Sequence, residues 1–520
     1  MEVIDYSDKV VFEFPKNPKN CSILLTKNEK YIFIDNFITK GWYKIDLAKK
    51  IEDTNEDVIG DIPNFQITKE YKNMRGLNMV NAIEAYKKGA TGKNILVGIV
   101  DTGIHHNHDE FNGKILKGID FSNDNFLNTH YHGSHVAGIV GAKRAKNSNK
   151  KNMHGYAFDC KLIDFRIFNK NGAMVMKDKD SLEINEVVTS NKVKILNRSY
   201  GLVGWFADGY KYSVRNYKYW YPNTFNSYLD MVKDETIQVW AGGNDGYKEL
   251  GVESALGTVF PELRKIWSSA VSVDANGRES FYSCRAGKVC ALNTLTLFGG
   301  GVNDGGVNST GNKNNYISSM GTSMAAPALA GCLAVVMDRF KNKLSNYECL
   351  IRLFTTASYE KLHVGFHKIR SGSRDKILKL LDNYSKNPNL NRFIEIKKLI
   401  LGNNFEKNIP NTSGGKIYPA SKKFDYYISA KIILEKLNKP YKGWKDYTEN
   451  PAKYILFAIF GYGFVDLEKA TKNITNLELE KIKKFDSLRV EEIERLSTKI
   501  HRKFKHLIYK KPKISDIKLI

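Results

Sequence analysis

The chain has 520 residues, 42% of them hydrophobic and 26% charged. That composition excludes a disordered chain and leaves room for a large core and two or three domains. Lys and Arg number 80 against 56 Asp and Glu, a formal net charge of +24, but the lysines are scattered, so the excess reads as a solvated surface and no nucleic-acid partner is expected.

Six cysteines are too few for a disulfide scaffold. No segment supplies the ~18 consecutive apolar residues of a membrane span, and the opening MEVIDYSDKVVFEF has no basic stretch followed by an apolar one, so no export leader is expected. Along the chain, residues 1–70 mix short apolar runs (SILL, YIFI) with charged turns. Residues 77–90, LNMVNAIEAYKKGA, carry apolar positions at helical spacing. Four buried-strand patterns follow, at 95–100 (ILVGIV), 160–168 (CKLIDFRIF), 193–200 (VKILNRSY) and 236–242 (TIQVWAG), with helical stretches after 132 and over 179–191 and 225–234. Such alternation predicts an α/β fold whose central parallel sheet is covered by helices on both faces. Functional residues of such sheets gather at the carboxyl ends of the strands, and Asp101 and Asn244 fall just beyond two of them.

A long apolar helix is predicted over 324–340. Residues 360–455 are Lys/Asn/Tyr-rich and only patchily periodic, and read as an insertion. GYGFVDLEKA (461–470) reads as turn, strand and helix. Residues 476–520 read as a basic tail with one or two amphipathic helices over 477–510. The aromatic and basic run YKYSVRNYKYWYPNTFNSY (210–228) could stack bases, but its position favours a loop beside a cleft. Cys284 and Cys290 flank a Gly-containing turn and form a candidate disulfide; no second Cys/His pair stands at zinc-ligand spacing.

Four strings carry chemistry. Asp101 ends a strand in VDTGI; a second DTG or DSG, which an aspartic-type pair would need, is absent. His132 and His135 lie in HGSHVAGIVGA, where small residues allow close helix packing; H-x-x-H without a neighbouring Glu is a poor metal motif, and His135 is the more readily structural of the two. Ser323, in GTSMAAPALAG, opens a helix, so its own N–H is without an intrahelical partner and meets the positive end of the helix dipole. Pro327 agrees with a helix that starts at or just before Ser323. Asn244, in AGGNDG, offers an amide donor beside two glycines. A hydroxyl, an imidazole, a carboxylate and oxyanion donors are what peptide hydrolysis by a serine requires.

These four strings, in the order Asp, His, Asn, Ser, closely resemble those of the subtilisin-like serine proteases. The resemblance implies a three-layer α/β sandwich over 71–475 and a serine endopeptidase with the triad Asp101, His132 and Ser323. It implies an oxyanion hole of the Asn244 side chain and the Ser323 N–H, and a protein or peptide substrate. ILNRSYG (195–201) resembles the family's substrate-pairing strand, which implies that Ser199, Tyr200 and Gly201 line the subsites beside Gly242 and Gly243. Residues 76–104 and 261–290 resemble the subtilases of bacterial autotransporters more narrowly, including the paired cysteines, and imply a secreted or cell-surface location; the lack of a leader leaves a cytoplasmic one as the alternative. Residues 1–70 would then be a propeptide or an accessory segment. No cofactor is required; calcium often stabilises this family, but no dense Asp/Asn string marks a site.

Overall fold

The computed structural model describes the backbone of five strands within residues 2–44. In side-chain detail it describes residues 65–520, except 66, 123, 125–128, 146–152, 204–213, 367–373, 402–423, 425 and 503–510. The chain divides after Ile62 into two units. In the first, β1 (Glu2–Tyr6), β2 (Lys9–Glu13), β3 (Cys21–Leu25), β4 (Lys30–Asp35) and β5 (Lys40–Lys44) form an antiparallel meander in chain order. The apolar runs SILL and YIFI fall in β3 and β4.

The second unit is built on seven parallel strands. They are β6 (Leu96–Asp101), β7 (Ile115–Asp120), β8 (Lys161–Arg166), β9 (Ile195–Arg198), β11 (Ile237–Ala241), β12 (Trp267–Val273) and β13 (Thr294–Phe298), in the spatial order β13-β12-β11-β9-β6-β8-β7. A short β10 (Tyr200–Leu202) continues beyond β9 outside this sheet. Every residue of β6, β9, β11, β12 and β13 is buried. Alternating side chains point to opposite faces, so both faces are covered. Two helix pairs flank the sheet, Tyr131–Gly141 with Thr322–Phe340 and Ser181–Ser190 with Pro222–Lys233. From β6 the chain runs outward to β7 and β8 on one side, then crosses to β9 on the other. The crevice at the carboxyl ends of β6 and β9 is therefore the topological switch point.

The four expected strands are present. β7 has a half-exposed edge pattern, and β12 (WSSAVSV) and β13 (TLTLF) interleave Ser and Thr, so none of the three shows a continuous apolar run. The helix expected over 77–90 is broken: Arg75–Met79 and Ala82–Lys87 are separate, because Asn81 between them adopts φ 56°, the left-handed conformation that asparagine tolerates. Thr322–Phe340 is long and apolar enough to cross a membrane, contrary to the expectation that no such segment exists, but it is almost wholly buried under the sheet.

Asp338, near the end of this helix, is buried and its Oδ2 accepts the backbone N–H groups of Thr91 (2.9 Å), Gly92 (3.0 Å) and Lys93 (3.0 Å). That turn leads directly into β6. The far end of the Ser323 helix is thus tied to the start of the strand that ends at Asp101.

β14 (Val307–Thr310) and β15 (Tyr316–Ser319) form a hairpin against the His132 helix. Within 360–455, β16 (His363–Phe366) pairs antiparallel with β17 (Tyr426–Ser429), accompanied by helices Ser373–Lys386, Leu390–Leu401 and Ala430–Lys436, and the helix Pro451–Phe460 runs across the expected end of the insertion. This region is pinned to the core by Arg285, whose guanidinium grips the buried Glu279 carboxylate at 2.5 and 2.8 Å and donates to Ile400 O (2.6 Å) and Gly365 O (3.2 Å).

Of the helical stretch expected over 477–510, the described residues form a helix, Asn476–Lys503, and it is docked; 504–510 lie outside the described residues. Arg489 is fully buried and donates to Leu292 O (2.8 Å), Asn293 Oδ1 (2.5 Å), Arg264 O (3.3 Å) and the Tyr347 hydroxyl (3.1 Å). The last residues are a strand, β18 (Ile517–Leu519), paired antiparallel with β10.

Replacing Asp338 by Ala strands three buried N–H groups, and charge-assisted bonds of this kind contribute about 1.5–3 kcal/mol each. D338A is expected to lose about 3 kcal/mol or more in urea unfolding, with D338N, which keeps an acceptor, losing distinctly less.

Candidate active site

Asp101 is the last residue of β6 and is fully buried. Its Oδ1 accepts the Thr102 N–H (2.7 Å) and lies 2.8 Å from His132 Nδ1, while its Oδ2 is buried without a hydrogen-bond partner among the described residues. The Asp101 contact fixes the imidazole with Nδ1 protonated and Nε2 outward.

The helix carrying His132 starts where it does because His130 caps it, its Nδ1 accepting the His132 N–H (3.3 Å). Thr102 joins this terminus to the strand end, donating to His130 O (3.0 Å) and accepting from Gly133 N (2.8 Å). A Cβ at Gly133 would lie 2.4 Å from Gly103 O; the helix reaches the Asp101 turn only because that position is bare. Ser134 accepts the His105 N–H (2.8 Å) and so holds the following loop.

His135 does not join the site. It is buried, with Nε2 3.1 Å from Val307 O and 3.0 Å from Ile317 O, tying the helix to the β14–β15 hairpin. Burial lowers its pKa to about 4, so it is a neutral donor at pH 7.

Ser323 is the second residue of its helix and is buried. Pro327, four residues on, has no N–H, so the Ser323 carbonyl lacks its i+4 helical donor. Ser199 supplies it: its hydroxyl donates to Ser323 O (3.0 Å), while the Ser323 hydroxyl donates to Ser199 O (3.1 Å). Asn197 Nδ2 in turn donates to the Ser199 hydroxyl (3.0 Å). Among the described residues no hydrogen bond joins Ser323 Oγ to His132. Rotation about the serine Cα–Cβ bond is what re-aims the hydroxyl, and contacts of this kind are often loose before substrate binds.

Asn244 follows β11. Its Oδ1 accepts both the Thr322 N–H (2.9 Å) and the Thr322 hydroxyl (2.9 Å), and that hydroxyl accepts the Gly243 N–H (3.0 Å). With Oδ1 so occupied, Nδ2 is the end directed toward Gly321, where an added Cβ would stand 2.9 Å from it. The bare Gly321 keeps that space open beside Ser323.

Of the residues named for the subsites, Ser199 serves the reciprocal contact with Ser323, Tyr200 and Gly201 form β10, and Gly242 donates to Ala270 O on β12 (3.0 Å). The candidate disulfide is not formed: Cys284 and Cys290 are both buried but not bonded to each other. Cys284 instead packs beside Gly243 and donates its N–H to Gly243 O (2.9 Å). Thr322 and His130 were not singled out from sequence. Thr322 sits inside the GTSM string, and the spacing of Pro327 from Ser323 is the signal that could have marked the Ser323 carbonyl as needing an outside donor. Among the described residues no three His, Cys, Asp or Glu side chains group as a metal site.

A buried carboxylate on an imidazole at the end of β6, and a serine at a helix start tied to the residue after β9, both at the switch point of a covered parallel sheet, are groups of the kind that acyl-transfer hydrolases use. The subtilase family model matches residues 92–392, and the chain belongs to that family.

The chain is 26% identical over 344 residues to an extracellular serine protease of Serratia marcescens, covering 54% of this chain and 31% of that protein. It therefore spans about a third of that relative's length. It is 27% identical over 303 residues to the major intracellular serine protease of Bacillus subtilis (56% and 85% covered) and 28% identical over 291 residues to subtilisin DY of Bacillus licheniformis (54% and 90%). A solved cold-adapted subtilisin-like serine proteinase aligns with TM-score 0.39 and 20% identity, covering 52% of this chain and 85% of that one.

His135 and His154 are both buried with pKa lowered to about 4. An unfolded histidine titrates near 6.5. Below that pH the unfolded chain takes up protons that the native state refuses, so stability present above pH 6.5 is lost as pH falls toward 4. Each contributes roughly 3 kcal/mol to that slope, at about 1.4 kcal/mol per pH unit. Urea unfolding between pH 7 and 4 is expected to show it, and H135Q to flatten it.

Proposed function

We propose that this protein is a serine endopeptidase acting through an acyl-enzyme. The observation that carries the reading is the 2.8 Å contact between His132 Nδ1 and the buried Asp101 carboxylate, with Ser323 opening a helix at the same crevice. The Ser323 hydroxyl leaves Ser199 O, turns to His132 Nε2 and attacks the substrate carbonyl as the imidazole takes its proton. Asp101 stabilises the imidazolium without taking the proton itself. The oxyanion that forms meets Asn244 Nδ2 and the Ser323 N–H, backed by the helix dipole. Collapse returns the proton to the leaving amine, and a water deprotonated by His132 then hydrolyses the ester.

The substrate is a protein or peptide running beside Ser199–Gly201 and the Gly242–Gly243 turn. The strings at 76–104 and 261–290 support a place near the autotransporter-type branch, and likeness to the extracellular Serratia protease supports a secreted or surface location. The separation of Met1–Ile62 as its own unit supports its reading as a propeptide or accessory segment.

A biotinylated peptidyl phosphonate is expected to label the folded chain at Ser323 alone, found by tryptic mass spectrometry, with S323A and H132A losing hydrolysis and labelling. Failure to label folded protein sinks the reading. N244A is expected to cut kcat ~10²–10³-fold. T322V, which removes one of the two donors holding Asn244, is expected to cost about tenfold in kcat, or ~1.4 kcal/mol, with KM little changed.

A further inference from the structure

β10 has an edge, and this chain fills it with its own residues. Tyr200, Gly201 and Leu202 pair antiparallel with Leu519, Lys518 and Ile517, more than three hundred residues later in sequence. The ladder is bracketed by two backbone bonds, Val203 N–H to Asp516 O (3.0 Å) and Ile520 N–H to Ser199 O (3.2 Å). Antiparallel alternation then places the intervening close pair at Gly201 and Lys518.

The carbonyl that receives the Ile520 N–H is the same Ser199 carbonyl that receives the Ser323 hydroxyl. Residue 520 is thus one shared acceptor away from the candidate nucleophile. Its side chain lies over Gly201, where an added Cβ would come within 2.7 Å of Ile520 Cδ1, and Leu519 Cδ1 lies 3.4 Å from the corresponding point on Gly172. The segment therefore runs between β10 and the turn that contains Gly172.

Ile517 reaches a cavity of about 240 Å³ walled by Met174, Met176, Tyr200, Tyr217, Tyr221 and Trp240. The approach to the strand is docked as well: Pro512 and Ile514 line the same cavity, and the Lys511 ammonium stands 4.9 Å above the Tyr221 ring.

Three independent features coincide here. The backbone pairing is that of an added strand, the route by which an extended peptide joins a sheet edge. The Ile517 side chain lines an apolar-walled cavity, and Ile520, on the opposite face of the strand, lies over Gly201. The contact ends on the carbonyl that holds Ser323. We propose that Asp516–Ile520 is a built-in occupant of the substrate-binding edge, a tethered competitor that an incoming peptide must displace. The peptide class it stands for is an extended strand with large apolar residues at the positions of Ile517 and Ile520. This rests on reading Ser199–Gly201 as the cleft wall. A segment linked to the same chain is present at an effective concentration of about millimolar, so even a weakly held occupant excludes dilute substrate.

The test uses the full-length chain. Proline at 518 removes the N–H that faces Gly201, so K518P frees the edge without touching the cleft. The probe is a fluorescent, C-terminally amidated hexapeptide Ser-Asp-Ile-Lys-Leu-Ile, read by anisotropy in an S323A background that prevents its cleavage. S323A/K518P is expected to bind the probe at least about tenfold more tightly than S323A. In chains with Ser323 intact, K518P is expected to raise kcat/KM on a short peptide by a similar factor. Equal probe affinity in the two S323A chains overturns the tethered occupant. Tighter probe binding by the K518P chain without hydrolysis by any chain sustains the occupant and overturns the peptidase reading instead.

Discussion

The arrangement at the crevice depends on a missing N–H. Pro327 leaves the Ser323 carbonyl without its helical donor, and a buried carbonyl must be satisfied from somewhere. Ser199, 124 positions earlier, satisfies it and in return accepts the Ser323 hydroxyl. Two reciprocal bonds therefore clasp the start of the helix to the end of β9, and they set the distance between the candidate nucleophile and the β10 edge. Without the proline the carbonyl would be spent inside the helix and the clasp would lose half its reason. Thr322 does the equivalent service for Asn244, one hydroxyl satisfying Gly243 N and Asn244 Oδ1 together.

A second constraint is imposed by close approach. The His132 helix, the Asp101 turn and the Ser323 helix meet where a parallel sheet changes direction, and strands buried on both faces leave no solvent to satisfy stray polar groups there. The structure meets this with short polar side chains acting on backbone: Thr102 on His130 and Gly133, Ser134 on His105, Asp338 on the turn before β6. Positions that must approach backbone closely are glycine. Together these fix the geometry of Asp101 and His132 before any substrate arrives, which is the condition under which oriented dipoles are most effective.

Much of this was legible in the sequence, and the limits have physical causes. Each of the four chemical strings couples a functional residue to a local device, a strand end, a helix start or a Gly-rich turn, so both chemistry and local structure could be read together. The parallel sheet followed from four apolar runs. β12 and β13 escaped because their serines and threonines are satisfied inside the core, where alternation looks like an exposed strand. The break at Asn81 rests on one left-handed residue inside an otherwise periodic stretch. The pairing of β18 with β10 had no local signal at all: three residues on each side, far apart in sequence, become a sheet only by meeting. Cys284 and Cys290 show the converse error, since proximity in sequence did not bring their sulfurs into a bond.

Arg489 has a practical corollary for anyone shortening this chain. The family match stops at residue 392, yet a guanidinium nearly one hundred positions later is what caps the carbonyls of Arg264 and Leu292 and the side chain of Asn293, at the mouth of β13. Trimming to the matched stretch would bare that rim of the sheet and leave its acceptors to water. A piece of this chain that keeps the rim of the sheet satisfied must therefore reach at least Arg489, well outside the boundary that similarity alone would draw.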